Sequence, residues 1–249
     1  MFETTKGLVL RSVRYKESDK ILTVLTESEG KLTLRARGAL RKGGKLAAAT
    51  ELYTLSEMTL FSNRGRWQLN EAQTIEQFIG LREHFSALAL ASYFAEVLDT
   101  VSEEGESDPA VLQLGLNSLY ALSRDLVPAR QVKAVFELRL LAVTGYEPDL
   151  SGCAACGRED MPSAAFYAPE GSIYCPDCVH AAPGAVTHLL PETLQAMRHI
   201  VYSPPKKIFS FTLSDAALGQ LAACTEQYLI LQLERGFSSL DYWKKVKDL

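Results

Sequence analysis

The sequence predicts an α+β protein: a small closed five-stranded barrel over residues 1–78, then an α-helical domain over 79–249. Three observations carry that reading. Up to about residue 75 apolar residues recur with a period of two, whereas from about residue 81 the period is helical. Two Cys-x-x-Cys pairs then interrupt the helical part, at about 150–183.

In the first part, Leu8, Val9, Leu10 and Val13 lead into Ile21-Leu-Thr-Val-Leu-Thr26, and both stretches are apolar on both faces, as in a small barrel. Leu32, Leu34 and Ala36 alternate cleanly with Lys31, Thr33, Arg35 and Arg37, which leaves one basic face. Leu52–Ser62 and Arg66–Ile75 complete five strands, with turn chemistry at Glu29-Gly30 and Asn63-Arg-Gly65. Residues 38–50 read as a mobile basic loop running into a short helix. Five short strands with an insertion after the third suit an OB-type barrel, a frequent platform for single-stranded nucleic acid.

Helices follow at Arg82–Ser102, from Asp108-Pro109 onward, from Pro128 with good helix formers over Gln131–Thr144, at Leu190–Val201 and at Ser214–Arg235. Asp108 is a capping residue ahead of a proline at the first helical position, and Gly145 fits a helix stop. The turn Glu103–Ser107 is acidic, and Ser203-Pro-Pro205 separates the last two helices.

Charge divides the chain in the same place. Residues 1–70 hold 13 Lys and Arg against 7 acids, and the remainder holds 13 against 23, within a total of −4. A basic first third suits a polyanion, and an acidic remainder suits protein partners. The candidate DNA surface is Lys31, Arg35, Arg37, Arg41, Lys42 and Lys45, with Arg64 and Arg66 at the rim. Arg124, Arg130, Lys133 and Arg139 would add a local basic patch on the helical part.

Cys153-x-x-Cys156 and Cys175-x-x-Cys178, with 18 residues between the pairs, have the spacing of a structural zinc site. Two thiolates three positions apart turn back onto one ion, and a second pair completes the tetrahedron. Four protein thiolates leave no open coordination position, which argues against catalysis at the metal. His180 and His188 are surplus to the set, and Cys224 falls in the apolar stripe of the last long helix. The chain has no Gly-x4-Gly-Lys-Ser/Thr, no His-Glu-x-x-His and no Gly-x-Ser-x-Gly, and its four histidines flank no nucleophile, so no enzyme activity is expected. Without a signal peptide or a long apolar run, the expected location is the cytoplasm, with no membrane contact.

In this order the parts resemble the RecO family of bacterial recombination mediators. Gly7-Leu-Val-Leu-Arg-Ser-Val-Arg-Tyr-Lys-Glu-Ser-Asp-Lys-Ile-Leu-Thr-Val-Leu-Thr26 looks like the first hairpin of that family, and Gly30-Lys31 with Arg35–Lys42 is similar to its basic third strand and loop. The four-cysteine motif and Ser239-Leu-Asp-Tyr242 resemble its later segments; Gly43-Gly44 departs from its loop. The resemblance implies a nucleoid-associated protein that binds single- and double-stranded DNA and anneals complementary strands. It also implies action with RecR to load the recombinase RecA onto strands coated by single-strand-binding protein, whose acidic C-terminal tail would meet the helical part. The alternative is a zinc-ribbon adaptor between proteins, in transcription or translation, whose basic face is only solvated.

Overall fold

A computed structural model describes residues 2–63 and 65–247, in two compact units. Unit 1 comprises residues 1–124 and 237–249, and unit 2 comprises residues 125–236.

Unit 1 is built on five strands: β1 (Phe2–Tyr15), β2 (Asp19–Thr26), β3 (Lys31–Ala36), β4 (Leu55–Asn63) and β5 (Arg66–Glu76). They close a barrel in the order β1-β2-β3-β5-β4, the OB arrangement. β1 can pair with both β2 and β4 because it is long and its register slips between Val9 and Arg11. The parallel pairing Leu34↔Trp67, Arg35↔Gln68, Ala36↔Leu69 shuts the cylinder. Val9, Leu22, Val24, Leu32, Leu34, Met58 and Leu60 fill it. Each such side chain, fully buried, stabilises the fold by about 1.5–3 kcal/mol. The predicted basic loop is a succession of turns, Arg41 N–H to Gly38 O at 3.0 Å and Gly44 N–H to Arg41 O at 2.9 Å among them. The helix expected at its end is a single 3-10 turn, Ala48–Thr50.

Three helices complete this unit: α1 (Phe85–Val101), α2 (Pro109–Ser123) and, from the far end of the chain, α6 (Ser238–Val246). α1 starts three residues later than periodicity suggests, because Ile79–Arg82 form a 3-10 turn and His84 is extended. Asp108 caps α2 as predicted, its carboxylate accepting from the N–H groups of Ala110 and Val111; such a cap is worth about 1 kcal/mol. α6 packs along α1. Its Ser239 N–H and hydroxyl both donate to the Glu96 carboxylate, and Tyr242 meets Phe85 edge to face at 6.0 Å.

Unit 2 contains α3 (Ala129–Val143), α4 (Pro191–Tyr202) and α5 (Asp215–Leu233), with α3 packed on both others. A four-stranded sheet lies between α3 and α4 in sequence: β6 (Asp149–Cys153), β7 (Ala164–Tyr167), β8 (Ser172–Tyr174) and β9 (Thr187–Leu189), in the order β6-β8-β7-β9. The basic patch expected on the helical part is corrected here. Lys133 is 1% exposed and bridges Glu137 at 2.8 Å and Glu226 at 2.9 Å, while the Thr225 hydroxyl donates to Glu137. Arg139 donates to the carbonyls of Ile200 and Val201. Desolvating an ammonium is tolerated only with such partners, so these cations serve the interior. Arg124 and Arg130 stay exposed, but they belong to different units. Among the described residues no helix is long and apolar enough to cross a membrane.

Candidate metal centre and nucleic-acid interface

The four predicted thiols come together. Cys153 ends β6, Cys175 follows β8, and Cys156 and Cys178 close the turns after each. All four Sγ atoms lie within 4.8 Å of one another, and Cys156 and Cys175 are 3.9 Å apart. A tetrahedron with metal–sulfur bonds of about 2.3 Å has edges of about 3.8 Å, so the spacing fits one metal ion. The electrostatics fit as well. Burial pushes the Cys153 thiol up, but N–H groups of Cys175, Cys156 and Ala155 outweigh it and hold it at about 6. Cys178, hydrogen-bonded to Cys175 and Cys156, is instead pushed up to about 12. Four crowded thiols therefore cannot all ionise unless a cation neutralises them. His180 and His188 are not in the cluster, and Cys224 is buried in α5 with its thiol raised by burial to about 11.

The barrel cations divide into three groups. Arg35, Arg37 and Arg66 line a cleft of about 700 Å³ on the β2–β3 side, with Tyr15, Trp67, Ile21 and Leu32. This is the face, with the β1–β2 and β4–β5 turns beside it, on which OB barrels hold oligonucleotides. Arg41, Lys42 and Lys45 are exposed on the loop beyond β3. Lys31 is turned away from this group: its ammonium pairs with Asp99 of α1 at 3.1 Å. Arg64 lies outside the described residues.

Arg35 is held in place. Its guanidinium donates to Asp19 at 2.9 and 2.6 Å and lies over the Tyr15 ring, 5.3 Å from its centre. The other Asp19 oxygen accepts the Gly38 N–H at 2.9 Å, so one carboxylate ties the hairpin, the third strand and the start of the basic loop. The Gly38 N–H, then Arg35, hold the Asp19 carboxyl at about 2, below its ordinary 3.8. A depressed folded-state pKa stabilises above the unfolded value, and that contribution disappears as pH falls through the folded one. Thermal unfolding of Asp19→Asn beside the parent protein should therefore show a gap that is full above pH 5 and narrows from about pH 4 toward 2. A gap independent of pH would show that the Asp19 charge contributes nothing.

Sequence reasoning missed the aromatic residues. Tyr15 is 41% exposed, and Trp67 is half-buried against the barrel core while lining the same cleft. Aromatic residues interleaved with Arg14, Lys16 and Arg66 were the available signal. A second cavity of about 310 Å³ shares Arg37 and Gln68 with the first and adds Phe2, Phe61 and Leu46. Base-sized apolar surface therefore continues past the basic residues. Glu29 and Glu104 also border the main cleft. A hydrogen bond shared with Glu3 raises the Glu29 carboxyl above its ordinary range.

Comparison with known proteins agrees with both halves. The family model described as Recombination protein O N terminal matches residues 1–78, and that described as Recombination protein O C terminal matches residues 82–241. A DNA repair protein RecO of Acetivibrio thermocellus is 32% identical over 240 residues, covering 96% of this chain and 95% of the relative. One from Symbiobacterium thermophilum is 30% identical over 239 residues, covering 95% and 94%. One from Exiguobacterium sibiricum is 36% identical over 175 residues, 70% of each chain.

Proposed function

The chain belongs to the RecO family of DNA repair proteins, and from that premise we propose that it is a recombination mediator without catalytic activity. It binds single- and double-stranded DNA, anneals complementary strands, and with RecR loads RecA onto strands coated by single-strand-binding protein. The observation that carries this reading is the cleft in which Arg35, Arg37 and Arg66 stand beside Tyr15 and Trp67 on the ligand face of the barrel. Cations there neutralise phosphates whatever the sequence, and an aromatic face accepts any base. Neutralising two backbones lowers the repulsion that keeps complementary strands apart, and phosphate contacts leave the base edges free to pair.

The family premise alone supports the contacts with RecR and with the acidic tail of single-strand-binding protein. Arg124 and Arg130 are exposed on different units, and Lys133 and Arg139 are committed inside, so no basic patch on the helical part is assigned to the tail. Zinc is the ion proposed for Cys153, Cys156, Cys175 and Cys178, where it would fix the fold of the surrounding sheet. Cytoplasmic residence beside the nucleoid follows from work on chromosomal DNA.

Fluorescence anisotropy with labelled oligonucleotides tests the reading, together with annealing of complementary strands. Log affinity for single strands should fall against log salt with a slope of about −0.7 per phosphate contacted. Annealing should accelerate when the protein is added. Failure to bind at low salt would overturn the proposal and return the basic face to a solvated surface on a zinc-ribbon adaptor.

A further inference from the structure

The acidic turn between α1 and α2 is clamped onto the rim of the barrel. Lys31 N–H donates to Glu103 O at 3.1 Å, Gly105 N–H to Glu29 O at 3.2 Å, and the Ser107 hydroxyl to Glu27 O at 2.6 Å. The Glu104 backbone forms isolated β-bridges with Gly30 and Lys31. Gly30 has φ +62°, and a Cβ there would stand 2.1 Å from the Glu106 carbonyl, so the close approach requires glycine. The Lys31–Asp99 ion pair adds a side-chain tie at the same place.

This clamp gives the cleft two unlike ends. Glu104 stands at the Lys31 end of β3, and Arg35 and Arg37 stand at the other, with all three lining one cavity. At about 3.3 Å per residue along β3, Glu104's anchor and Arg35 are roughly 13 Å apart. One strand needs only the basic end and the aromatic surface beside it. A duplex on the basic end brings a second row of phosphates a groove width away, about 6–12 Å. That row reaches the acidic end. We infer that Glu104, fixed by this clamp, makes the cleft favour one nucleic-acid strand over two.

The inference rests on the DNA-binding reading above and goes further, by assigning strand discrimination to a residue that touches no favourable phosphate. Glu29 lines the same end and adds to its acidity, while Glu104 is the acid that the clamp itself carries.

Anisotropy titrations of the full chain test it, with a labelled single strand and a hairpin duplex containing the same sequence, at low salt. Glu104→Gln should tighten duplex binding about threefold more than single-strand binding, the size expected of one like charge removed within a Debye length. Glu104→Lys should widen that change. Glu106→Gln, which alters net charge equally on a residue that does not line the cleft, should change the ratio of the two affinities less than Glu104→Gln does. If Glu104→Gln tightens both ligands alike, or changes neither, the inference is wrong while the DNA-binding reading stands. If the unaltered protein binds neither ligand, the DNA-binding reading has failed and the inference falls with it.

Discussion

Cys153→Ser is expected to strip the metal from unit 2 and take most of that unit's stability with it. The thiol is 3% exposed at the end of β6 and one of four sulfur atoms that meet within 4.8 Å. Strands of three to five residues carry too few contacts to hold the sheet alone. Closed thiolate sites supply on the order of 10 kcal/mol to folding in small zinc domains, as much as the whole stability of an ordinary domain. The measurements are metal content per chain in reducing, chelator-free buffer, and thermal unfolding with and without chelator. The parent protein should hold one zinc and lose stability to the chelator; Cys153→Ser should hold none and ignore it. Single-strand binding at low temperature should survive, because the cleft lies in unit 1. A metal-free parent with an unchanged melting temperature would dismiss the zinc assignment.

The second large effect is expected in the cleft and on the basic loop beyond β3. Arg37, Lys42 and Arg66 are exposed, so replacing all three with alanine removes three phosphate contacts without touching the core. At about 0.7 per contact, the slope of log affinity against log salt should flatten by roughly 2. Binding should weaken on every oligonucleotide sequence alike. Arg35 is left in place, since removing it would strand the Asp19 carboxylate. Tyr15→Ala should act differently. It removes a stacking face worth about 1–3 kcal/mol per base and leaves the salt slope as it was. An unaltered slope in the triple variant would place the DNA elsewhere on the molecule.

Much of this arrangement could be read from the chain. Alternation through Lys31–Arg37 identified a strand with a buried apolar side, and the paired cysteines identified the cluster that could hold a metal before any contact was known. What escaped depended on distant partners. Nothing around Lys133 marks it as interior, because Glu226 and Thr225 lie some ninety residues further along. The strands about the cysteines are too short to show a period. Tyr15 and Glu104 share a cleft only because the barrel closes and the acidic turn is clamped to its edge. Lys31 has the right charge on the right face and is nonetheless taken by Asp99, a choice made by the helix packed alongside.

The return of α6 to α1 also bears on how the chain is made. A ribosome emits the barrel, α1 and α2 first, yet the partner that covers α1 emerges only with residues 237–247, across a separation of 143 positions between Glu96 and Ser239. Throughout that interval Tyr93 and its neighbours, which Phe237 later meets edge to face at 5.7 Å, have no lid. The intervening 112 residues are themselves a compact unit. Closing the final contact therefore carries the loop entropy of that whole separation, a cost that grows only with its logarithm. Unit 1 therefore gains its last helix only with the final residues of the chain, and a chain stopped before residue 237 lacks the contacts to Glu96 and Tyr93 that complete it.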